Sequence, residues 1–219
     1  MTKLALLVLI SSSMMGGSKE ISFSTQDGGI VYADLYGTGA RGVVLAHGAR
    51  FDKSSWTEQA HQLATAGFRV VAIDFRGYGK SGGGSQSRDG MYLDVLAAVH
   101  YLRETGAITV AVIGGSMGGG AAAEAAVKGA PGAIDRLVLL APVPIEHPER
   151  IEGAKLFAAS QDDPITPRVR EQYSKAPEPK ELLILDGSAH AQFLFQTEQG
   201  ERLMREILRF LSTAQTELR

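Results

Sequence analysis

Short continuous apolar runs recur along the chain, with longer amphipathic stretches between them. Residues 43–46, 70–73, 110–113, 137–140, 156–159 and 182–185 are each four apolar residues in a row. Runs of that length predict strands covered on both faces, as in a parallel sheet. Residues 56–66, 92–102, 169–175 and 203–211 read instead as helices, the first stopped by Gly67. Near the start, residues 21–24 and 30–36 alternate apolar and polar around Asp27-Gly28-Gly29, the pattern of a hairpin. Strands separated by helices predict an α/β fold: a mostly parallel eight-stranded sheet with helices on both faces. The hairpin adds antiparallel strands at one edge.

One stretch breaks the pattern. After the run 110–113 comes Gly114-Gly115-Ser116-Met117-Gly118, and then a helix of small residues over 119–127. A serine between a buried strand and a bulk-stripped helix sits in a sharp turn with its hydroxyl raised above the sheet. The Met117 N–H, at the helix start, points into the same space and can donate to a developing oxyanion. The stretch resembles the nucleophile elbow of the α/β-hydrolase family, and the order of elements matches that family over residues 21–211.

A serine hydroxyl needs a base to take its proton during attack, and imidazole is suited to this near neutral pH. Of the five histidines, His190 follows the last predicted strand in Asp186-Gly187-Ser188-Ala189-His190. The carboxyl ends of strands are where an open α/β sheet places its site. His47 precedes Gly48 in a turn and reads as a loop-holding residue. His61 and His100 fall on predicted helices, and His147 falls in a loop beside Glu146 and Pro148. The base needs an acid to fix its tautomer, and Asp162 and Asp163 both follow the strand at 156–159.

The resemblance favours Asp163, because the family's acid often opens an Asp-x-x-(Val/Thr)-Pro segment and Asp163-Pro164-Ile165-Thr166-Pro167 fits it. Asp162 is then a solvent-facing or helix-capping carboxylate. The chain order Ser116, Asp163, His190 is also the family's order. Carried over from the family's His-Gly-x turn, the backbone N–H of Ala49 in His47-Gly48-Ala49-Arg50 joins that of Met117 as oxyanion donor. Arg50 is a candidate contact for an acidic substrate group, or else a surface ion-pair partner. What the resemblance implies is a serine hydrolase, a carboxylesterase working through an acyl-enzyme. Thioesterase, peptidase or acyltransferase chemistry on the same triad is the alternative, and a non-catalytic receptor is the alternative of another class.

Prolines 142, 144 and 148 and Gly153 leave room for little more than one helical turn between the strands at 137–140 and 156–159. The family's lid is inserted at that point. Its absence predicts a shallow open cleft and a preference for short-chain or small esters.

Composition adds limits. The chain of 219 residues is 44% hydrophobic and 21% charged, which fits one globular domain over residues 19–219. A net charge of −2 gives no electrostatic reason to expect nucleic acid or an anionic membrane as partner. With no cysteine there is neither a disulfide nor a thiolate metal site, and no metal or organic cofactor is expected. Gly37-Thr38-Gly39-Ala40-Arg41-Gly42 matches a dinucleotide pattern but leads into a strand, and Gly79-Lys80-Ser81 lacks the earlier P-loop glycine, having Asp74 there. Lys3 and the apolar residues 4–10, with Gly16-Gly17-Ser18 behind them, look like a leader over residues 1–18 and lean the location toward periplasmic or secreted; the alternative is an N-terminal strand or docked extension of a cytoplasmic protein. That run is too short to span a bilayer as a helix.

Overall fold

The computed structural model describes residues 17–84 and 88–213, so the candidate leader core at 4–10 lies outside the described residues. The chain runs β1 (Lys19–Ser24), β2 (Gly29–Tyr36), β3 (Arg41–Ala46), α1 (Thr57–Thr65), β4 (Phe68–Ile73), β5 (Gly82–Gly83) and α2 (Met91–Glu104). It continues through β6 (Thr109–Gly115), α3 (Met117–Lys128), β7 (Arg136–Leu140), β8 (Ala154–Ser160), α4 (Thr166–Lys175), β9 (Lys180–Leu185) and α5 (Gly200–Ser212).

Eight strands form one path, β1-β2-β4-β3-β6-β7-β8-β9, and β5 pairs with β2 off that path. The sheet thus has one strand more than the apolar runs predict, because β5 is two glycines with no apolar residue to mark it. The strands that read as continuous apolar runs occupy the middle, where β3, β6, β7 and β8 are buried almost throughout. The alternating β1 lies at one edge, antiparallel to β2, and β2 is antiparallel to β4. Every pairing from β4 onward along the path is parallel.

Topology then places the site. From β3 the chain crosses to β4 on one side, whereas from β6 it crosses to β7 on the other. Right-handed crossovers in opposite directions put α1 on one face and α3 on the other. The chain therefore diverges at the carboxyl ends of the neighbouring strands β3 and β6, which leaves a crevice there. The residues beyond those two ends are His47 to Arg50 and Ser116.

Close packing at this point explains the small residues. A Cβ on Gly118 would stand 2.2 Å from the Ala46 carbonyl oxygen, and one on Gly114 would stand 2.4 Å from the Gly118 carbonyl oxygen. Both contacts are with backbone, which cannot swing aside, so only glycine lets α3 sit this near β3. A buried Arg76, just after β4, ties α2 to the first hairpin. It binds Asp94 of α2 through Nη2 at 2.7 Å and Asp27 of the first hairpin through Nη1 at 2.8 Å.

Candidate active site

Ser116 caps the start of α3 with φ 51° and ψ −112°, a conformation costly for any residue bearing a Cβ. Backbone bonds hold it there. Its N–H donates to the Leu140 carbonyl at 2.9 Å, and its own carbonyl accepts from Gly120 and Val143, each at 3.1 Å. Ser116, Ala141 and Ala191 are the non-glycine residues with positive φ among those described. Ala141 follows β7 beside the serine turn, and Ala191 follows His190. Strain of this kind collects where the surroundings over-determine a functional geometry.

The structure brings Ser116, His190 and Asp163 together from three different strand ends. Ser116 Oγ is 2.9 Å from His190 Nε2, and His190 Nδ1 is 2.6 Å from Asp163 Oδ2. A carboxylate can only accept, so the Asp163 side demands the proton on Nδ1 and leaves Nε2 to accept the serine hydroxyl. Asp163 is 5% exposed, and its other oxygen accepts the Ile165 N–H at 3.1 Å. Ser160 ties the acid's strand to the histidine's loop, since its hydroxyl donates to the Ala189 carbonyl at 2.6 Å. Asp162, by contrast, is exposed.

Across the crevice lies the loop after β3. His47 is fully buried, with Nδ1 2.9 Å from the Gly48 carbonyl and Nε2 3.2 Å from the Phe75 N–H. The Phe75 bond requires an acceptor at Nε2, so Nδ1 carries the proton and donates. Burial holds this imidazole below its ordinary pKa, which keeps it neutral. Tyr78 closes the same corner by donating its hydroxyl to the Ala49 carbonyl at 2.9 Å. The Met117 N–H belongs to the first turn of α3, whose donors have no partner within the helix.

A cleft of about 520 Å³ opens from Ser116. It runs along one face of α3, past Met117, Gly120, Ala121, Glu124 and Val127 to Lys128. Eleven helical steps make that face roughly 16 Å long. Val143, from the β7–β8 connection, lines the cleft and packs against the α3 face: a Cβ on Gly120 would stand 2.4 Å from Val143 Cγ2. That connection holds one 3-10 turn, Pro148–Arg150, and no α-helix.

The remaining candidates fall elsewhere. Arg50 is exposed and lines a neighbouring depression with Asp52 and Tyr78, not the Ser116 cleft. His61 packs edge-on against Tyr36, and His100 is exposed on α2. His147 joins the cleft's rim, with Nδ1 3.1 Å from Glu149, a placement that a proline-rich loop did not reveal. Gln192 also went unseen in the sequence. It is buried between the loop after β3 and the serine turn, and nothing about an isolated glutamine marks it. Among the described residues, no group of three or more His, Asp or Glu is placed to hold a metal ion. No helix among them is long and apolar enough to cross a membrane.

Known proteins resemble this chain at two levels. An esterase from Pyrococcus furiosus superposes with a TM-score of 0.74 at 20% identity, covering 88% of this chain and 92% of that one, which shows a shared fold. A chloroperoxidase-like protein of Synechocystis, described as a putative non-heme chloroperoxidase, is 37% identical over 117 residues, 52% of this chain and 41% of that protein. A 2-hydroxy-6-oxononadienedioate/2-hydroxy-6-oxononatrienedioate hydrolase of Burkholderia vietnamiensis is 30% identical over 178 residues, 77% of this chain and 58% of that protein. In both cases the chain spans less than two thirds of the relative's length. Residues 39–180 match the family described as serine aminopeptidase, S33 (Hydrolase_4), and the chain belongs to that family of α/β-hydrolases.

Proposed function

We propose that this α/β-hydrolase is a serine carboxylesterase acting on small or short-chain esters. The observation that carries the reading is the unbroken relay from Ser116 Oγ through His190 to Asp163, at 2.9 and 2.6 Å. Ser116 Oγ attacks the ester carbonyl carbon as His190 Nε2 takes its proton. Asp163 holds the imidazole in its tautomer and stabilises the imidazolium that forms. The oxyanion is held by the N–H groups of Met117 and Ala49. The imidazolium returns its proton to the departing alcohol, which leaves an acyl group on Ser116. Water, deprotonated by the same imidazole, attacks that acyl group, and the acid departs as Ser116 regains its proton.

The preference for a short acyl part rests on Val143, which packs against the α3 face at Gly120, one helical turn from Ser116, and narrows the path along it. The test is covalent labelling with a fluorophosphonate together with hydrolysis of p-nitrophenyl acetate. Wild-type protein should be labelled at Ser116 and active, and Ser116→Ala should be neither. An unlabelled wild-type protein would favour a receptor, and faster turnover of a matched thioester or amide would move the assignment to another acyl transfer.

A further inference from the structure

Gln192 is a buried polar side chain, 4% exposed, that the relay above does not use. Its Oε1 accepts the Gly48 N–H at 2.6 Å, and its Nε2 donates to Ser55 Oγ at 2.7 Å. The Ser55 hydroxyl in turn donates to the Asp52 carbonyl at 2.6 Å, so the amide has one orientation that satisfies both ends. Gln192 also packs against the end of β6, where a Cβ on Gly115 would meet its Cγ at 3.2 Å. One side chain thus joins the histidine's loop to the loop after β3, with the serine turn beneath it.

The consequence lies in peptide-plane geometry. The Gly48 carbonyl accepts from the Phe51 N–H at 3.0 Å and from His47 Nδ1 at 2.9 Å. In a trans peptide the next N–H, that of Ala49, points away from that carbonyl. Gln192 fixes the preceding plane, so both planes flanking Gly48 are held. On its other side Gln192 is joined to His190 through Ala191, whose φ of 50° keeps the link bent. We propose that Gln192 is a positioning residue that clamps the Ala49 N–H at a fixed offset from His190. The inference rests on the serine-hydrolase reading, and it concerns how oxyanion donor and base are held in register.

Steady-state kinetics on p-nitrophenyl acetate test it with the whole chain. Gln192→Met keeps an unbranched side chain and removes both hydrogen-bonding groups. It should lower kcat about a hundredfold, the cost of misplacing a reacting group by around an ångström. KM should stay within about twofold, and the pH at which kcat/KM inflects should not move, because Ser116, His190 and Asp163 are untouched. Ser55→Ala loosens the same clamp from its other end, without touching the relay. It should lower kcat several-fold in the wild-type background and hardly at all beside Gln192→Met.

A Gln192→Met enzyme with kcat within about threefold of wild type would overturn the clamp, and so would a loss confined to KM or a shifted inflection. Equal cost of Ser55→Ala in both backgrounds would do the same. If Gln192→Met does not fold, Ser55→Ala alone decides: an unchanged kcat ends the proposal. Failure of the parent reading looks different, since wild-type Ser116 would then resist the fluorophosphonate. Labelled Ser116 with an indifferent Gln192 removes the clamp alone.

Discussion

Asp163 and His190 meet at 2.6 Å although 27 residues separate them, and the adjacent Asp162 makes no such contact, being exposed. The two neighbouring carboxylates are therefore expected to respond differently to substitution. Asp163→Asn keeps the shape but presents an amide that can donate to Nδ1, which favours the wrong imidazole tautomer. That change should cut kcat by about 10⁴-fold. Asp162→Asn should stay within a few-fold of wild type. Parallel kcat measurements on the two variants decide the matter, and reversed phenotypes would make Asp162 the acid.

Backbone contact at the serine turn makes a stability prediction. Gly118→Ala places a methyl 2.2 Å from the Ala46 carbonyl oxygen, so α3 must lift from β3. We expect about 3 kcal/mol of destabilisation, with activity lost as well. Gly82→Ala is the control, because a Cβ there meets nothing within 4 Å. Urea midpoints for the two variants should diverge; equal midpoints would show that the turn relaxes freely.

How far the sequence reveals this molecule depends on whether a feature is local. The central strands announce themselves because burial on both faces needs continuous apolar residues. The serine turn does so because close approach needs glycine at Gly114 and Gly118. His190 is legible because it lies in the loop after an apolar run, whereas the run at 156–159 leaves Asp162 and Asp163 both open and only the family's Asp-x-x-(Val/Thr)-Pro pattern favours Asp163. Other features are set by contacts between distant residues that no local pattern encodes. Arg76 finds Asp94 and Asp27, Gln192 finds Gly48, and Val143 finds Gly120, each across a loop or a crossover. Arg50 shows the converse: its place in the chain suggests the cleft, but the loop turns its side chain to a neighbouring depression.

Lys155, in β8, is 1% exposed, and its ammonium donates to the Pro177 carbonyl at 2.8 Å. Burial pulls its pKa from 10.5 down to about 8. Below about 8 both folded and unfolded chains hold the proton, and folding carries the cost of burying an ammonium. Between about 8 and 10.5 the folded chain has released the proton while the unfolded chain still binds it. The contribution of Lys155 to stability therefore rises with pH across that window. Lys155→Met should exceed wild type in stability near neutral pH, and the gap should narrow toward pH 10.5. Denaturation midpoints of both proteins at several pH values check this, and a constant gap would exclude the titration.

On the proposed esterase reading, the preference for short acyl groups turns on one side chain, Val143. Its N–H donates to the Ser116 carbonyl at 3.1 Å, so its backbone is fixed to the serine turn. Its side chain packs against the α3 face at Gly120, where a Cβ would come within 2.4 Å of Cγ2. An acyl chain extending from Ser116 along α3 meets this barrier after about one helical turn. Each methylene buried before that point adds roughly 0.8 kcal/mol, a factor of about four in kcat/KM. Beyond it, further carbons clash or stay in water and add nothing. A series of p-nitrophenyl esters should therefore show kcat/KM rising and then falling within the short acyl chains. Val143→Ala removes two methyl groups and widens the cleft beside Gly120, on the way to Glu124 and Lys128, so its optimum should move to longer chains. The alcohol end is not confined by Val143, so bulky alcohols on a short acyl group should still react. An optimum that stays in place in Val143→Ala, or one at long chains in the wild type, would mean that the acyl group takes another route from Ser116.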